Sequence, residues 1–177
     1  GACDEEGSTP GMIYGLSIAR DLGLLKDYTV YYFGNMEEWC DGIAPNAFVD
    51  VDPKVRPDFV VIGEPTRMNV YRGHKGRIEL KVTASGRSAH AAVHYLGDNA
   101  VYKMISIINS IRELDRRFRF GMGSHPVLGH ASVVVTDAAV RTNSLNAVPD
   151  QFTIFLDRRI TLNESHDEVI DLIKGLI

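Results

Sequence analysis

Apolar positions along this chain keep changing period, and each change suggests an element. Tyr28-Thr-Val-Tyr-Tyr-Phe33 is a run of β-branched and aromatic residues ended by Gly34-Asn35, the signature of a buried strand. A second apolar run, residues 59–62, is stopped as a strand by Pro65. Before them, Thr9 can cap a helix, Pro10 suits its first turn and Gly23 its stop. From residue 78 the period is two: Ile78, Leu80 and Val82 alternate with Glu79, Lys81 and Thr83, a strand with one wet face. Over residues 99–117 it becomes helical, with Val101, Met104, Ile105, Ile108 and Ile111 on one face. Strands follow around 131–136 and 152–157. Ser165-His-Asp-Glu168 then reads as a capping box opening a last helix, with Ile170, Ile173 and Ile177 inward.

The order divides near Arg72. Residues 1–72 run helix, strand, a connection holding Pro45, Pro53 and Pro57, and strand, the order of an α/β domain. Arg72-Gly-His-Lys-Gly76 reads as a hinge-like connection. Residues 73–177 run β-α-β-β-α, an α+β domain with helices on one face of an antiparallel sheet, one strand short of a split βαβ (ferredoxin-like) pattern.

Composition changes this picture little. The 177 residues are 45% hydrophobic and 24% charged, ordinary for a globular protein. The net charge of -4, without a Lys/Arg block, argues against nucleic acid. No stretch reads as a signal peptide or membrane span. Cys3 and Cys40 form neither a disulfide framework nor a zinc-knuckle spacing, so a reducing cytoplasm is expected.

Carboxylates at the ends of the first two predicted strands carry the candidate chemistry. Glu37-Glu38 follows the first, Glu64 follows the second, and Asp4 precedes the first helix. In open α/β sheets ligands bind at the carboxyl ends of strands, and hard oxygen donors from separate loops are what a divalent cation needs. The bland account makes Asp4 a helix cap and the glutamates solvated turn residues. Further along, His90 ends Gly86-Arg-Ser-Ala-His90 in a loop, where a histidine without a task is the ordinary reading. Asn99 or Asp98 suits the cap of the long helix. An Arg at the end of the last strand, in Asp157-Arg-Arg159, could hold a carboxylate, although surface Arg is commoner. His74, His94, His125, His130 and His166 show no pairing at metal-ligand spacing.

In order, Gly-Ala-Cys-Asp4, Glu37-Glu38, Gly63-Glu64-Pro-Thr, Gly73-His-Lys-Gly76, Ala89-His90, Gly97-Asp-Asn-Ala100, Asn146-Ala-Val-Pro149 and Asp157-Arg-Arg159 resemble the co-catalytic zinc aminoacylase and carboxypeptidase superfamily. That superfamily includes acetylornithine deacetylase, succinyl-diaminopimelate desuccinylase and glutamate carboxypeptidase. Tyr71-Arg-Gly73 and Glu37-Glu38-Trp-Cys-Asp-Gly42 are most similar to a bacterial branch of selenium-metabolism hydrolases. The resemblance implies a partial zinc-peptidase-like catalytic domain over 1–72 and a lid and dimerisation domain over 73–177. It implies two zinc ions, replaceable by cobalt or manganese, with Asp4 bridging them and Glu38 and Glu64 each ligating one. Glu37 would be the general base. His90 would polarise the scissile carbonyl, usually in the partner subunit's site, and Asn146 and Arg159 would grip the substrate's carboxylate end.

Two departures qualify the match. Asp4-Glu-Glu-Gly7 lacks the Lys that many members carry before this glycine. The His-x-Asp segment and late His ligand that the resemblance also implies do not fall within these residues. Three of five expected protein ligands are therefore present, and an inactive middle piece of the enzyme is expected. Three functions compete: a zinc amidohydrolase acting on N-acyl amino acids or small peptides, a non-catalytic dimerisation module in which residues 73–177 pair, and a magnesium phosphohydrolase. The last lacks a phosphate-cradling loop and ranks lowest.

Overall fold

The structure, a computed structural model, describes residues 6–35, 43–51 and 55–177. Asp4, Glu37, Glu38, Cys3 and Cys40 lie outside the described residues. The chain divides into two compact units, Gly1–Tyr71 and Arg72–Ile177.

In the first unit, helix α1 spans Ser8–Asp21 and α2 spans Ile43–Val51. The cap position of α1 is Gly7, so Thr9 lies inside the helix instead of starting it. Past its end Gly23 takes φ 71°, the left-handed conformation that glycine adopts without a Cβ clash, and its N–H donates to Arg20 O at 2.9 Å. The sequence pattern put a proline-bearing connection where α2 forms. Pro45 falls in the first turn of α2, where its missing N–H would have no helical acceptor. The two strands expected at 28–33 and 59–62 do not form: neither run belongs to a strand. Strand composition favours a half-buried pleated surface, and neither segment finds a ladder partner among the described residues. Phe33 stacks on Phe48 at 4.7 Å, yet Phe59 stays 84% exposed and Val61 80%.

The second unit has one shared hydrophobic core. Strand β1 (Gly76–Ser85) pairs antiparallel with β5 (Gln151–Ile160), which pairs antiparallel with β4 (Ser132–Arg141), giving the order β1-β5-β4. A small hairpin of β2 (Ser124–His125) and β3 (Gly129–His130) precedes β4 and was not anticipated. Helix α3 (Ala100–Arg119) packs against all three strands of the sheet. Helix α4 (His166–Lys174) adds Ile173 to the same core. The mixed α/β unit with an antiparallel sheet thus matches the coarse expectation.

Its faces follow the sequence pattern with local corrections. Val82 and Ala84 are buried while Arg77, Glu79, Lys81 and Thr83 are exposed, as alternation on a strand requires. On α3 the buried stripe is Ala100, Met104, Ile111, Leu114 and Phe118. Ile105, expected inside, is 48% exposed because the true stripe continues toward Leu114 and Phe118. On α4 the capping box forms, with Ser165 Oγ accepting from Glu168 N and Glu168 Oε2 accepting from Ser165 N at 2.8 Å. Its buried residues are Val169 and Ile173, while Ile177 lies beyond the helix and is exposed.

Beneath the end of β5, the Arg158 side chain is fully buried over the Phe118 ring, 4.3 Å from its centroid, and paired with Glu164. Burial lowers the pKa of this guanidinium and the Glu164 charge opposes the shift. Glu164 Oε2 also accepts from Thr161 N at 3.0 Å, so one carboxylate ties α4's approach to the strand end.

Candidate functional site

Two glycines set the position of His90. A Cβ on Gly86 would overlap the Asp98 carbonyl oxygen and lie 3.0 Å from Ala100 N. A Cβ on Gly97 would lie 2.9 Å from Arg87 O. Bare backbone at both places lets residues 86–90 lie against 97–98, where Arg87 and Asp98 exchange N–H···O bonds of 2.8 Å. Asn99, not Asp98, then caps α3, its Oδ1 accepting from Val101 N at 2.9 Å. Asp98 instead pairs with the Lys103 ammonium.

The chain next brings His90 to Asn146. His90 and Ala147 form an antiparallel bridge, with Ala91 N donating to Asn146 O and Val148 N donating to Ala89 O, both at 2.8 Å. His90 also caps the short 3-10 helix Ala91–Leu96, its Nδ1 accepting from Ala92 N at 3.1 Å. A backbone N–H can only donate, so Nδ1 presents its lone pair and the neutral ring carries its proton on Nε2. His90 is exposed, and Nε2–H is a donor suited to a carbonyl or oxyanion. Asn146 is oriented in turn: Ser144 Oγ donates to Asn146 Oδ1 at 2.5 Å, leaving the amide N–H groups as donors. Thr142 Oγ1 donates to Ser144 O at 2.7 Å and fixes that turn. Sequence reading gave Ser144 no role, since a serine in a loop carries no signal until its acceptor is known.

Arg159 sits at the other end of the sheet, opposite Arg77, while Asn146 precedes the start of β5. Asp157 holds it: Arg159 Nε donates to Asp157 Oδ1 at 2.7 Å and Nη2 to Oδ2 at 3.1 Å. Arg77 Nε donates to the same Oδ2 at 2.7 Å, and Arg77 Nη2 to Glu79 Oε2 at 2.8 Å. Burial alone would raise the Asp157 pKa. The hydrogen bonds and charges of Arg159 and Arg77 outweigh it and hold the carboxylate below its ordinary range.

Of the three expected metal ligands only Glu64 is among the described residues. It is exposed, and the turn Thr66–Asn69 follows it, Thr66 Oγ1 donating to Asn69 O at 2.6 Å. Carboxylate oxygens suit a divalent cation, but no three His, Cys, Asp or Glu side chains gather as a metal site among the described residues. No described helix is long and apolar enough to cross a membrane.

Comparison with known proteins adds a family to this geometry. Residues 72–177 match the family model described as the peptidase dimerisation domain. The uncharacterized protein YgeY of Escherichia coli is 36% identical over 177 residues, covering 99% of this chain and 43% of its own length. A probable succinyl-diaminopimelate desuccinylase of Staphylococcus aureus is 39% identical over 56 residues, 32% of this chain and 14% of that protein. Among solved structures, aminopeptidase PepT from Bacillus cereus aligns with a TM-score of 0.42 at 18% identity, over 58% of this chain and 25% of its own. The chain therefore spans less than half the length of these relatives.

Proposed function

The chain belongs to the family of the peptidase dimerisation domain, and from that premise we propose that it is part of a metal-dependent amidohydrolase or peptidase cleaving N-acyl amino acids or small peptides. Residues 1–72 contribute to the catalytic domain. Residues 73–177 are an α+β lid, a split βαβ pattern short of its last strand, that pairs with a second copy. Asp4, Glu38 and Glu64 would hold zinc, which when bound supplies Lewis acidity and lowers the pKa of a water. Glu37 would be the general base, taking a proton from the attacking water and passing it to the leaving amine.

The observation that carries this reading is the bridge joining His90 to the Asn146 turn with Nε2–H and the amide N–H groups left as donors. Both groups suit a developing oxyanion or a substrate carboxylate. Arg159 lies eight residues along β5 from Gln151, and a strand rises roughly 3.3 Å per residue, so about 26 Å separates the two ends. A small N-acyl amino acid cannot touch both from one copy. A second copy resolves this, with His90 and Asn146 of one subunit serving the substrate held by Arg159 of the other.

Mixing inactive variants of the complete protein tests this arrangement. His90→Ala should lower turnover by roughly 2–4 kcal/mol in barrier terms, with metal content unchanged. Glu37→Ala should likewise keep its metal, whereas Glu38→Ala and Glu64→Ala should each lose one equivalent. If His90 serves the partner's site, mixed dimers of His90→Ala and Glu37→Ala contain one intact site and activity partly returns. A mixture that stays inactive after verified subunit exchange rejects the arrangement. The alternative is a non-catalytic dimerisation module, which the family description also suits. It is favoured if none of the four variants changes turnover or metal content.

A further inference from the structure

Two arginines stand directly opposite each other across the β1–β5 pair, Arg77 facing Arg159. Like charges at directly opposed positions destabilise a sheet. Two register positions away, on the same face, Glu79 faces Asp157, so exchanging a single Arg and acid would have produced two opposed ion pairs. The sheet instead spends Asp157 on both guanidiniums. Its Oδ1 accepts from Arg159 Nε, and its Oδ2 accepts from Arg159 Nη2 and Arg77 Nε. Arg77 has Glu79 as a second carboxylate partner, whereas among the described residues Arg159 is held by Asp157.

The geometry of the fork matters as much as its charge. A guanidinium carries five N–H donors in one plane. Asp157 takes the Nε and one Nη2 donor of Arg159, the side-on edge. The end-on edge, formed by Nη1 and the other Nη2 hydrogen, matches a carboxylate's two oxygens. The Asp157 side chain is 14% exposed and that of Arg159 46%, so the holder is inside and the held group meets solvent. We propose that Asp157 is a positioning residue that fixes Arg159 by its side-on edge so that the end-on edge receives the carboxylate of the substrate, with Arg77 anchoring Asp157 from the neighbouring strand. A floppy arginine must lose rotamer freedom on binding, and one already clamped does not.

This inference rests on the reading that Arg159 grips a substrate carboxylate, and calorimetric titration of the complete protein separates the two. The probes are N-acetyl-L-alanine and its methyl ester, which lacks the anion. Wild type should bind the acid more tightly than the ester, and Arg159→Ala should erase that preference. Asp157→Asn should weaken acid binding by about tenfold without affecting the ester. Asp157→Glu, which restores the charge, should recover part of the loss. A wild type that does not prefer the acid, or an Arg159→Ala variant that still does, overturns the Arg159 reading itself. If Arg159→Ala erases the preference while Asp157→Asn keeps it, only the positioning role of Asp157 falls. Equal weakening for acid and ester in Asp157→Asn marks a structural effect and also overturns that role.

Discussion

Phe59 and Phe118 are the same side chain in two settings. The first is 84% exposed in the Gly1–Tyr71 unit, and the second is fully buried beneath the Arg158 guanidinium in the Arg72–Ile177 unit. The contrast extends across the units. Val55 is the buried hydrophobic of the first among the described residues, whereas one cluster in the second gathers side chains from β1, β4, β5, α3 and α4. Hydrophobic content does not separate them, since Tyr28-Thr-Val-Tyr-Tyr-Phe33 is as apolar as any strand of the sheet. Partnership does. β1 pairs with β5 from some seventy-five positions away, but within its own unit. The runs at 28–33 and 59–62 join no ladder among the described residues. A strand is thus a property of a pair, and an apolar run states only half of it.

Truncating the two phenylalanines tests the contrast most severely. Phe118→Ala should cost about 3–5 kcal/mol, from lost transfer energy and the cavity left between α3 and the sheet. Phe59→Ala should stay within about 0.5 kcal/mol. Chemical denaturation of the two variants decides it. A cost above about 1 kcal/mol for Phe59→Ala would mean that Phe59 packs in a core and that the contrast between the two phenylalanines fails.

What was legible in the sequence follows the same division. The alternation from Ile78 to Val82, the helical face around Met104 and Ile111, and the Ser165–Glu168 capping box could be read because each is local in its cause. Ile105 and Ile177 were misplaced because periodicity gives a face but not where the facing sheet stops. The strands of the first unit were misread because their cause is not local. A family resemblance names His90, Asn146 and Arg159 as candidates. Their orienting partners, Ser144 and Asp157, could not be read, because a positioning residue is identified by the atom it touches.

A smaller effect probes the charged part of the second unit's core. Glu164→Gln should destabilise by about 2–3 kcal/mol, because the buried Arg158 guanidinium would keep a neutral acceptor but lose its counter-charge. Reversal of an exposed pair in the first unit, such as Arg20 with Asp21, should change little. Comparable costs at both sites would erase the distinction between the units.

Glycines sharpen the comparison by changing its sign. Gly86→Ala places a methyl against the Asp98 carbonyl and should cost about 1–3 kcal/mol while displacing His90. Gly15, inside α1, has nothing within 4 Å of a built Cβ, so Gly15→Ala should stabilise its helix by about 0.5–1 kcal/mol. Helix content by circular dichroism and thermal melting of both variants read the two signs. A neutral Gly86→Ala would show that the approach of 86 to 98 is not what positions His90.

The smallest effect is acidification, and its sign can be worked out. Asp157 is held below its ordinary range, against burial, by hydrogen bonds from Arg159 and Arg77. A group whose folded pKa is depressed contributes stability that is present above its unfolded pKa and lost as pH falls through the folded value. With an unfolded aspartate pKa of about 3.9, the contribution of Asp157 should be full and independent of pH near neutrality and be lost below about pH 4. Glu168 works in the same direction, its carboxylate stabilised first by the backbone N–H of Ser165 and then by the hydroxyl. Thermal melts of wild type and Asp157→Asn across pH 2–7 should therefore converge at the acid end. The variant lacks the titrating group and should show a flatter slope, not merely a lower curve. Parallel curves would mean that Asp157 titrates alike folded and unfolded. The bridge between β1 and β5 would then be an exposed ornament of the kind Arg20 and Asp21 make, and the contrast between the units would rest on apolar burial alone.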